Sequence, residues 1–354
     1  MIIIFIPSFI NTGPVKGAIA LANGLSVFED VCLVSLKGGC HDEKTINKDV
    51  KVISLAGHIS LIEKFLAFRR LVNKSCKTSK SVVVSFCFSA DLISTFSFSV
   101  AHKISSIRSN LIINYRMSYG LIGMALALFH FIILRRFDHV VSMTDAMSKQ
   151  VYKYSFRKSN VVGNFIDEAR IEVFRQHYRK SNHINLVFLG SLTKRKQPDL
   201  LLKSLKELIN LGLDIHLSLI GDGPLMKLLK QMVIDLSIES HVKFFGQIDE
   251  PCEILAKADL MVIPSLSEGL SRAALESLYL GVPVVLRNVD GNAELIHDFN
   301  NGMLFNSDDE LTEALSRAAA WAKLRDSNKC LLPDMFRQGE AVKQYLKLIR
   351  SARK

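Results

Sequence analysis

Two carboxylates, Glu268 and Glu276, stand eight positions apart in the stretch ADLMVIPSLSEGLSRAALESLYLGVPVVLRNVDGNAEL, residues 258–295. The pattern predicts a short apolar strand over Leu260–Ile263, a turn of small and polar residues over Pro264–Leu270, and a helix over about Ser271–Leu280. Gly281 supplies a left-handed stop, Pro283 blocks continuation, and Val284–Leu286 begins another strand. Either glutamate alone would be ordinary helix electrostatics, because acids near a helix N-terminus are favoured by its dipole. Together they bracket a strand–loop–helix whose first N–H groups form a ready anion site. A carboxylate on each side of such a site could grip the sugar hydroxyls that flank a diphosphate.

A diphosphate also needs positive charge. The strand expected at Ile184–Leu189 is followed by Gly190-Ser191-Leu192-Thr193-Lys194-Arg195-Lys196-Gln197-Pro198, which offers three consecutive cations. Lys196 and Arg195 are the candidates to neutralise phosphate, although three basic residues in a loop are otherwise ordinary surface charge. The strand expected at Ile215–Ile220 runs into Gly221-Asp222-Gly223-Pro224, where glycine permits close backbone approach. Near the start, Asn11-Thr12-Gly13-Pro14-Val15-Lys16-Gly17 joins a first strand to a helix. It is not Gly-x-Gly-x-x-Gly, so a dinucleotide fingerprint is absent.

The elements needed to position these groups alternate. Strands are expected at Ile2–Ile6, Val31–Ser35, Val50–Ser54, Val82–Phe86, Leu111–Tyr115, His139–Ser142 and Asn160–Gly163, apolar on both faces as in a covered parallel sheet. Helical patterns such as Gly17–Phe28 and Ile59–Cys76 lie between them, which predicts a doubly wound α/β domain. In that scheme Asn114-Tyr115-Arg116 closes the fifth strand at its carboxyl end, where functional side chains project. The second half restarts the pattern, adding strands at Val242–Phe245 and Asn301–Phe305 and a last helix at Gln338–Arg353.

The chain has 354 residues, too long for one typical domain and suited to two of roughly 150–180. Its formal net charge of +11 is uneven: residues 1–180 carry 24 Lys/Arg against 12 Asp/Glu, and residues 181–354 carry 21 against 22. The positive excess lies entirely in the first half, which suits an anionic partner such as phospholipid, or a merely solvated face. Ile59–Lys80 mixes Leu61, Ile62, Phe65, Leu66 and Phe68 with Lys64, Arg69, Arg70, Lys74, Lys77 and Lys80. That is the composition of a basic amphipathic helix at a membrane interface, or of a surface helix packed on its sheet. Gly120–Leu134 is a 15-residue apolar run containing His130, short of the roughly 20 residues that span a bilayer, and Arg135-Arg136 follows it. A core or interfacial helix is expected there. The six cysteines (Cys32, Cys40, Cys76, Cys87, Cys252, Cys330) form no Cys-x-x-Cys pair, so reduced thiols of a cytoplasmic protein are expected and a zinc site is not. MIIIFIPSF reads as a buried strand, not a signal peptide.

Glu268-x7-Glu276 within SEGLSRAALESLYLGVPVV closely resembles the signature of the retaining glycosyltransferases of family 4. The resemblance covers most of the chain and is strongest over residues 184–305. It implies the GT-B fold: two Rossmann-like doubly wound α/β domains facing each other across a cleft. The expected division is an acceptor- and membrane-facing domain over 1–166, a linker over 167–182, a nucleotide-sugar domain over 183–337, and a helix over 338–354 crossing back to the first domain. It also implies site roles. Glu268 would hold the donor sugar, Glu276 the ribose diol, and the amides of Gly269, Leu270 and Ser271 the diphosphate. Lys196 falls on the family's phosphate-binding lysine, whereas Ser191 occupies the place of its arginine, so Arg195 would supply a second charge from a shifted place. Gly13 matches the N-terminal glycine loop and Gly221 lies near the nucleotide. Many members place a histidine against the donor sugar near residue 116; here Arg116 is the nearest substitute.

The function so implied is retaining, metal-independent transfer of a sugar from a nucleotide-diphosphate donor, with a uridine-diphosphate sugar expected. The acceptor would be a lipid-linked oligosaccharide of surface polysaccharide assembly, and the enzyme would lie peripherally on the inner face of the cell membrane. No Asp-x-Asp occurs, which disfavours the architecture that holds a divalent ion on the diphosphate. No cofactor and no metal are expected. Other readings are a sugar-nucleotide epimerase or a phosphorylase of the same architecture, the latter requiring a lysine-bound cofactor, or a non-catalytic basic protein on membrane or nucleic acid. Nucleic acid is not expected, since no helix-turn-helix or aromatic-interleaved basic strip is present.

Overall fold

The computed structural model describes residues 1–10, 12–39, 45–76, 80–96, 101–177, 182–297, 300–324 and 329–353. Asn11, Cys40, Lys77 and part of the 167–182 segment therefore lie outside the described residues. The chain divides into two α/β units, Met1–Ile166 with Asp334–Lys354, and Asp167–Pro333.

The first unit is built on a seven-stranded sheet among the described residues. Its strands are β1 (Ile2–Ile6), β2 (Val31–Ser35), β3 (Val50–Ser54), β4 (Val82–Phe86), β5 (His102–Ile107), β6 (His139–Ser142) and β7 (Asn160–Val161). They lie side by side in the order β3-β2-β1-β4-β5-β6-β7, every pair parallel. Strand β1 is buried throughout, and its alternate residues feed two cores. Ile2, Ile4 and Ile6 pack with the helices Gly13–Ser26 and Gln338–Ala352. Ile3 and Phe5 face the helix Leu61–Cys76, where Phe5 stacks on Phe68 at 4.1 Å between centroids. The order reverses at β1, so the carboxyl ends of β1 and β4 form a switch point, the place where ligands of such sheets bind.

The fifth strand is not where the sequence pattern put it. Leu111–Tyr115 is helical, and Arg116 is an exposed helical residue rather than the end of a strand. The strand is His102–Ile107, with Ser105 and Ser106 at its centre. These serines are buried because tertiary partners wait for them: Ser105 Oγ donates to Asp91 at 2.8 Å, and Ser106 Oγ bonds Tyr345 Oη at 2.8 Å. Local propensity could not show those partners.

The helix Leu111–Leu134 holds the 15-residue apolar run in its second part. Asn110 caps it, its side chain accepting from Ile113 N at 3.1 Å. The helix has 24 residues, long and apolar enough by composition to cross a membrane. However, Gly120 breaks it at φ 61°, ψ −138°. A Cβ on Gly123 would collide with the Tyr115 carbonyl, so the break depends on glycine at both places. Beyond it, His130 Nε2 bonds buried Asp91 at 2.8 Å and His130 Nδ1 bonds Tyr115 Oη at 3.0 Å, fastening the apolar helix to the sheet through a polar relay.

The second unit contains β8 (Ile184–Leu189), β9 (Ile215–Ile220), β10 (Val242–Gly246), β11 (Leu260–Ile263), β12 (Val284–Arg287) and β13 (Gly302–Phe305). Their order is β10-β9-β8-β11-β12-β13, again all parallel, with the reversal between β8 and β11. Helices Pro198–Asn210 and Leu311–Lys323 cover a core centred on Leu186, Leu217, Leu260 and Val262. The segment expected as a linker carries a short helix, Glu168–Ile171, and a turn, Glu172–His177, within this unit. Glu172 accepts a hydrogen bond from Tyr279 Oη.

The last helix closes the first unit: Gln338 Nε2 donates to Ala20 O at 2.8 Å, and Arg353 Nη1 pairs with Glu29 at 2.7 Å. The Arg353 guanidinium, through its hydrogen bond and charge, holds the Glu29 carboxyl below its ordinary value of 4.5. A depressed folded value stabilises above the unfolded value, and that stabilisation is lost as pH falls through the folded value. Glu29→Gln is therefore expected to lower the thermal midpoint at pH 7, by an amount equivalent to about 0.5–1 kcal/mol. The variant and the wild-type protein should converge in acid below the depressed value, as read by melting curves across pH.

Candidate active site

Strands β8 and β11 are neighbours at the switch point of the second unit, so the loops that follow them leave the sheet side by side. The loop after β8 winds through a 3₁₀ turn, Lys194–Lys196, and reaches Gln197 in the left-handed region at φ 47°. Pro198 then starts a helix, its missing N–H and fixed φ suiting the first turn. The loop after β11 runs from Pro264 to Leu270, and Ser271 caps the helix Arg272–Tyr279, which ends before Gly281 at φ 83°. The strand, turn, helix and stop thus fall within a residue or so of their expected places.

The two loops are tied directly. Leu266 N donates to Arg195 O at 2.9 Å and Arg195 Nη1 to Ser267 O at 2.6 Å. Lys196 Nζ forms a close ion pair with Glu268 Oε1, and Arg195 Nη1 lies 3.7 Å from the same oxygen. The Glu268 side chain is 9% exposed and that of Lys196 13%, so the pair is largely desolvated. An ammonium has three protons to give, and one directed at Glu268 leaves others to meet a phosphate oxygen.

Glu268 is fixed from its backbone as well. Asp290, itself at φ 47°, accepts from Glu268 N at 2.9 Å and from Ser267 Oγ at 2.7 Å through one carboxylate oxygen. Glu276 has a different partner: Arg272 Nε lies 3.3 Å from its Oε1 one helical turn away. Burial pulls the Arg272 pKa down, and the neighbouring carboxylates of Glu276 and Asp167 oppose that shift.

The glycine loop after β9 packs on the loop after β8. Gly190 N donates to Ile220 O at 3.0 Å and Leu192 N to Asp222 O at 3.0 Å. Gly221 sits at φ 131°, and a Cβ there would strike the Gly190 carbonyl. Its glycine is therefore required by packing alone, independently of any ligand.

The structure thus brings Arg195, Lys196 and Glu268 together beside Gly269, Leu270 and Ser271, with Glu276 on the following helix and Gly221 behind the cationic loop. Gly13 and Arg116 belong to the first unit. Gly13 opens the helix Gly13–Ser26, and a Cβ there would meet no protein atom within 4 Å. The cation at the end of β5 is Arg108, not Arg116. Arg108 Nη2 bonds Asn164 Oδ1, lies over Phe86 and Phe165 at 5.7 and 5.9 Å, and would be 3.0 Å from a Cβ on Gly17. Placing the strand at Leu111–Tyr115 hid it. The usable signal was Asn110, a capping residue directly before Leu111, which marks a helix start and moves the strand upstream.

Comparison with known proteins bears on the family and the fold. Residues 169–329 match the family model described as glycosyl transferases group 1. Protein CapJ of Staphylococcus aureus is 30% identical over 164 residues, 45% of this chain and 41% of that protein, so the match spans less than half of its length. A Campylobacter jejuni enzyme, GalNAc-alpha-(1->4)-GalNAc-alpha-(1->3)-diNAcBac-PP-undecaprenol alpha-1,4-N-acetyl-D-galactosaminyltransferase, is 29% identical over 89% of this chain and 87% of its own. Among solved structures, the Anabaena protein HepE in complex with UDP superposes with a TM-score of 0.77 over 99% of both chains at 17% identity, which shows the fold alone. Through residues 169–329 the chain carries a domain of the group 1 glycosyl transferases, and with its two parallel α/β units it has the GT-B fold.

Proposed function

We propose that the chain transfers a sugar from a uridine-diphosphate sugar to a lipid-linked glycan at a membrane surface, with retention of anomeric configuration. The observation that carries this reading is the Lys196–Glu268 pair, desolvated between the loops of β8 and β11. The named activity of the Campylobacter relative, which acts on an undecaprenyl-diphosphate glycan, supports the acceptor class. The UDP complex of HepE supports the donor class.

In this reading the diphosphate lies against the amides of Gly269, Leu270 and Ser271, where the helix dipole favours negative charge. Lys196, aided by Arg195, offsets the charge that grows on the leaving phosphate as the anomeric carbon–oxygen bond breaks. These groups do so without a divalent ion. Glu268 holds donor-sugar hydroxyls and steadies the oxocarbenium-like centre. Glu276 accepts hydrogen bonds from the ribose diol, sharing its carboxylate with Arg272. The acceptor oxygen bonds the anomeric carbon from the face that the phosphate leaves, and its proton passes to the departing phosphate oxygen. Gly13 leaves open space for a ligand to approach the carboxyl end of β1.

The first unit carries the features of a membrane-docking surface. A capping box formed by Ser60 and Glu63 starts the helix Leu61–Cys76. Its later residues Phe68 and Val72 are spent on the sheet, whereas Ile59 before the cap and Leu61 and Ile62 in the first turn are exposed, and the same helix carries Lys64, Arg69 and Arg70. Leu121 and Ile122, directly after the Gly120 break, are 81% and 73% exposed. Apolar side chains among basic ones suit an anionic bilayer.

Two tests follow from this reading. With uridine-, guanosine- and adenosine-diphosphate sugars as donors, Glu268→Gln should lower kcat by at least about 100-fold with the fold intact. Glu276→Ala should act mainly on donor KM, by about tenfold. Near-normal turnover in folded Glu268→Gln would sink the role given to that carboxylate. Separately, the protein should sediment with phosphatidylglycerol vesicles but not with neutral ones, and less so as salt rises. Leu121→Asp with Ile122→Asp should abolish that association. Binding unaffected by the double change would exclude this surface, and a shift of oligomeric state instead would make it a contact between copies.

A further inference from the structure

We infer that Arg287 is a positioning residue for the Lys196–Glu268 pair, an inference that rests on the reading of that pair as the donor site. Arg287 is the last residue of β12 and is 5% exposed. Its guanidinium reaches both loops at once. Nε donates to Pro264 O at 3.0 Å, at the root of the turn that carries Glu268. Nη2 donates to Gln197 Oε1 at 2.8 Å, on the residue directly after Lys196. The same nitrogen pairs with Asp308, and the guanidinium lies 4.9 Å from the centroid of the Phe305 ring.

Packing alone does not account for arginine here. A hydrophobic side chain would fill the space without desolvating a charge. Gln197 shows what the fork contributes. A non-glycine residue in the left-handed region is strained and persists only where its surroundings over-determine it. The Arg287 bond is one such constraint, and the backbone it holds is that of the cationic loop. A planar fork can bind Pro264 and Gln197 in fixed directions, whereas a lysine offers one point charge on a flexible stem. Arg287 therefore sets the separation of Lys196 and Glu268 without touching substrate.

Lys196 would do most of its work on charge that develops in the transition state, so misplacing it should appear in kcat more than in KM. With the uridine-diphosphate sugar that the wild-type protein turns over fastest, Arg287→Met and Gln197→Ala are each expected to lower kcat by about tenfold or more. Donor KM should change by less than about threefold. The double variant should be no slower than Arg287→Met alone, since both changes remove one link. Arg287→Lys should recover little of the loss. Thermal midpoints measured alongside separate folding from positioning. A lowered midpoint with kcat per folded molecule unchanged would overturn the inference, as would losses in Arg287→Met and Gln197→Ala that multiply in the double variant. Glu268→Gln is run in the same series. Near-normal turnover there would overturn the donor-site reading and this inference with it, whereas an inactive Glu268→Gln beside fully active Arg287→Met and Gln197→Ala would overturn this inference alone.

Discussion

A carboxylate withdrawn from water beside two cations is the constraint around which the second unit is arranged. Burying a carboxylate such as Glu268 without a partner would be costly, and its partners come from the loop that follows another strand of the sheet. The parallel order brings the ends of β8 and β11 together, and the loops are then joined by backbone and side-chain bonds at Leu266, Arg195 and Ser267. Asp290 and Arg287 reach the same loops from the segment that follows or ends β12. Charge, register and loop geometry are therefore coupled: a slip of β11 against β8 would leave Glu268 buried and alone.

The first unit solves a related problem in the opposite sense. Its sheet buries Ser85, Ser105 and Ser106, the helix Phe88–Phe96 buries Asp91, and the fold does so by supplying partners from elements far apart in the chain. Asp91 receives Ser85, Ser105 and His130, and the hydroxyls of Ser106 and of Tyr345 in the last helix bond each other. The Tyr115 hydroxyl completes the relay, with its pKa pushed up chiefly by burial. Buried polar networks of this kind fix a unique arrangement when fully satisfied. Here the network holds an apolar helix against the sheet while leaving Leu121 and Ile122 exposed.

These two arrangements explain what was legible in the sequence. The strand–turn–helix around Glu268 could be read because each boundary has a local cause: Ser271 as cap, Gly281 as left-handed stop, Pro283 as breaker. The alternation of strands and helices gave the α/β class for similar reasons, and Lys196 followed from its position after a strand. Strand β5 was illegible because its burial depends on Asp91 and Tyr345, which no local pattern announces. The apolar segment beside it therefore took the strand, and Arg116 took the place of Arg108. Arg287 and Asp290 were equally silent, since their roles lie in hydrogen bonds to residues 22–90 positions away.

The most direct measurement is calorimetric titration of UDP into the wild-type protein and Lys196→Ala, each with excess chelator. The expected result is binding by the wild-type protein with chelator present, weakened roughly 10- to 100-fold in Lys196→Ala by loss of a charge-assisted phosphate contact. Equal affinity in the two proteins, or binding that appears only when a divalent ion is restored, would contradict a donor site built on Lys196 and Glu268.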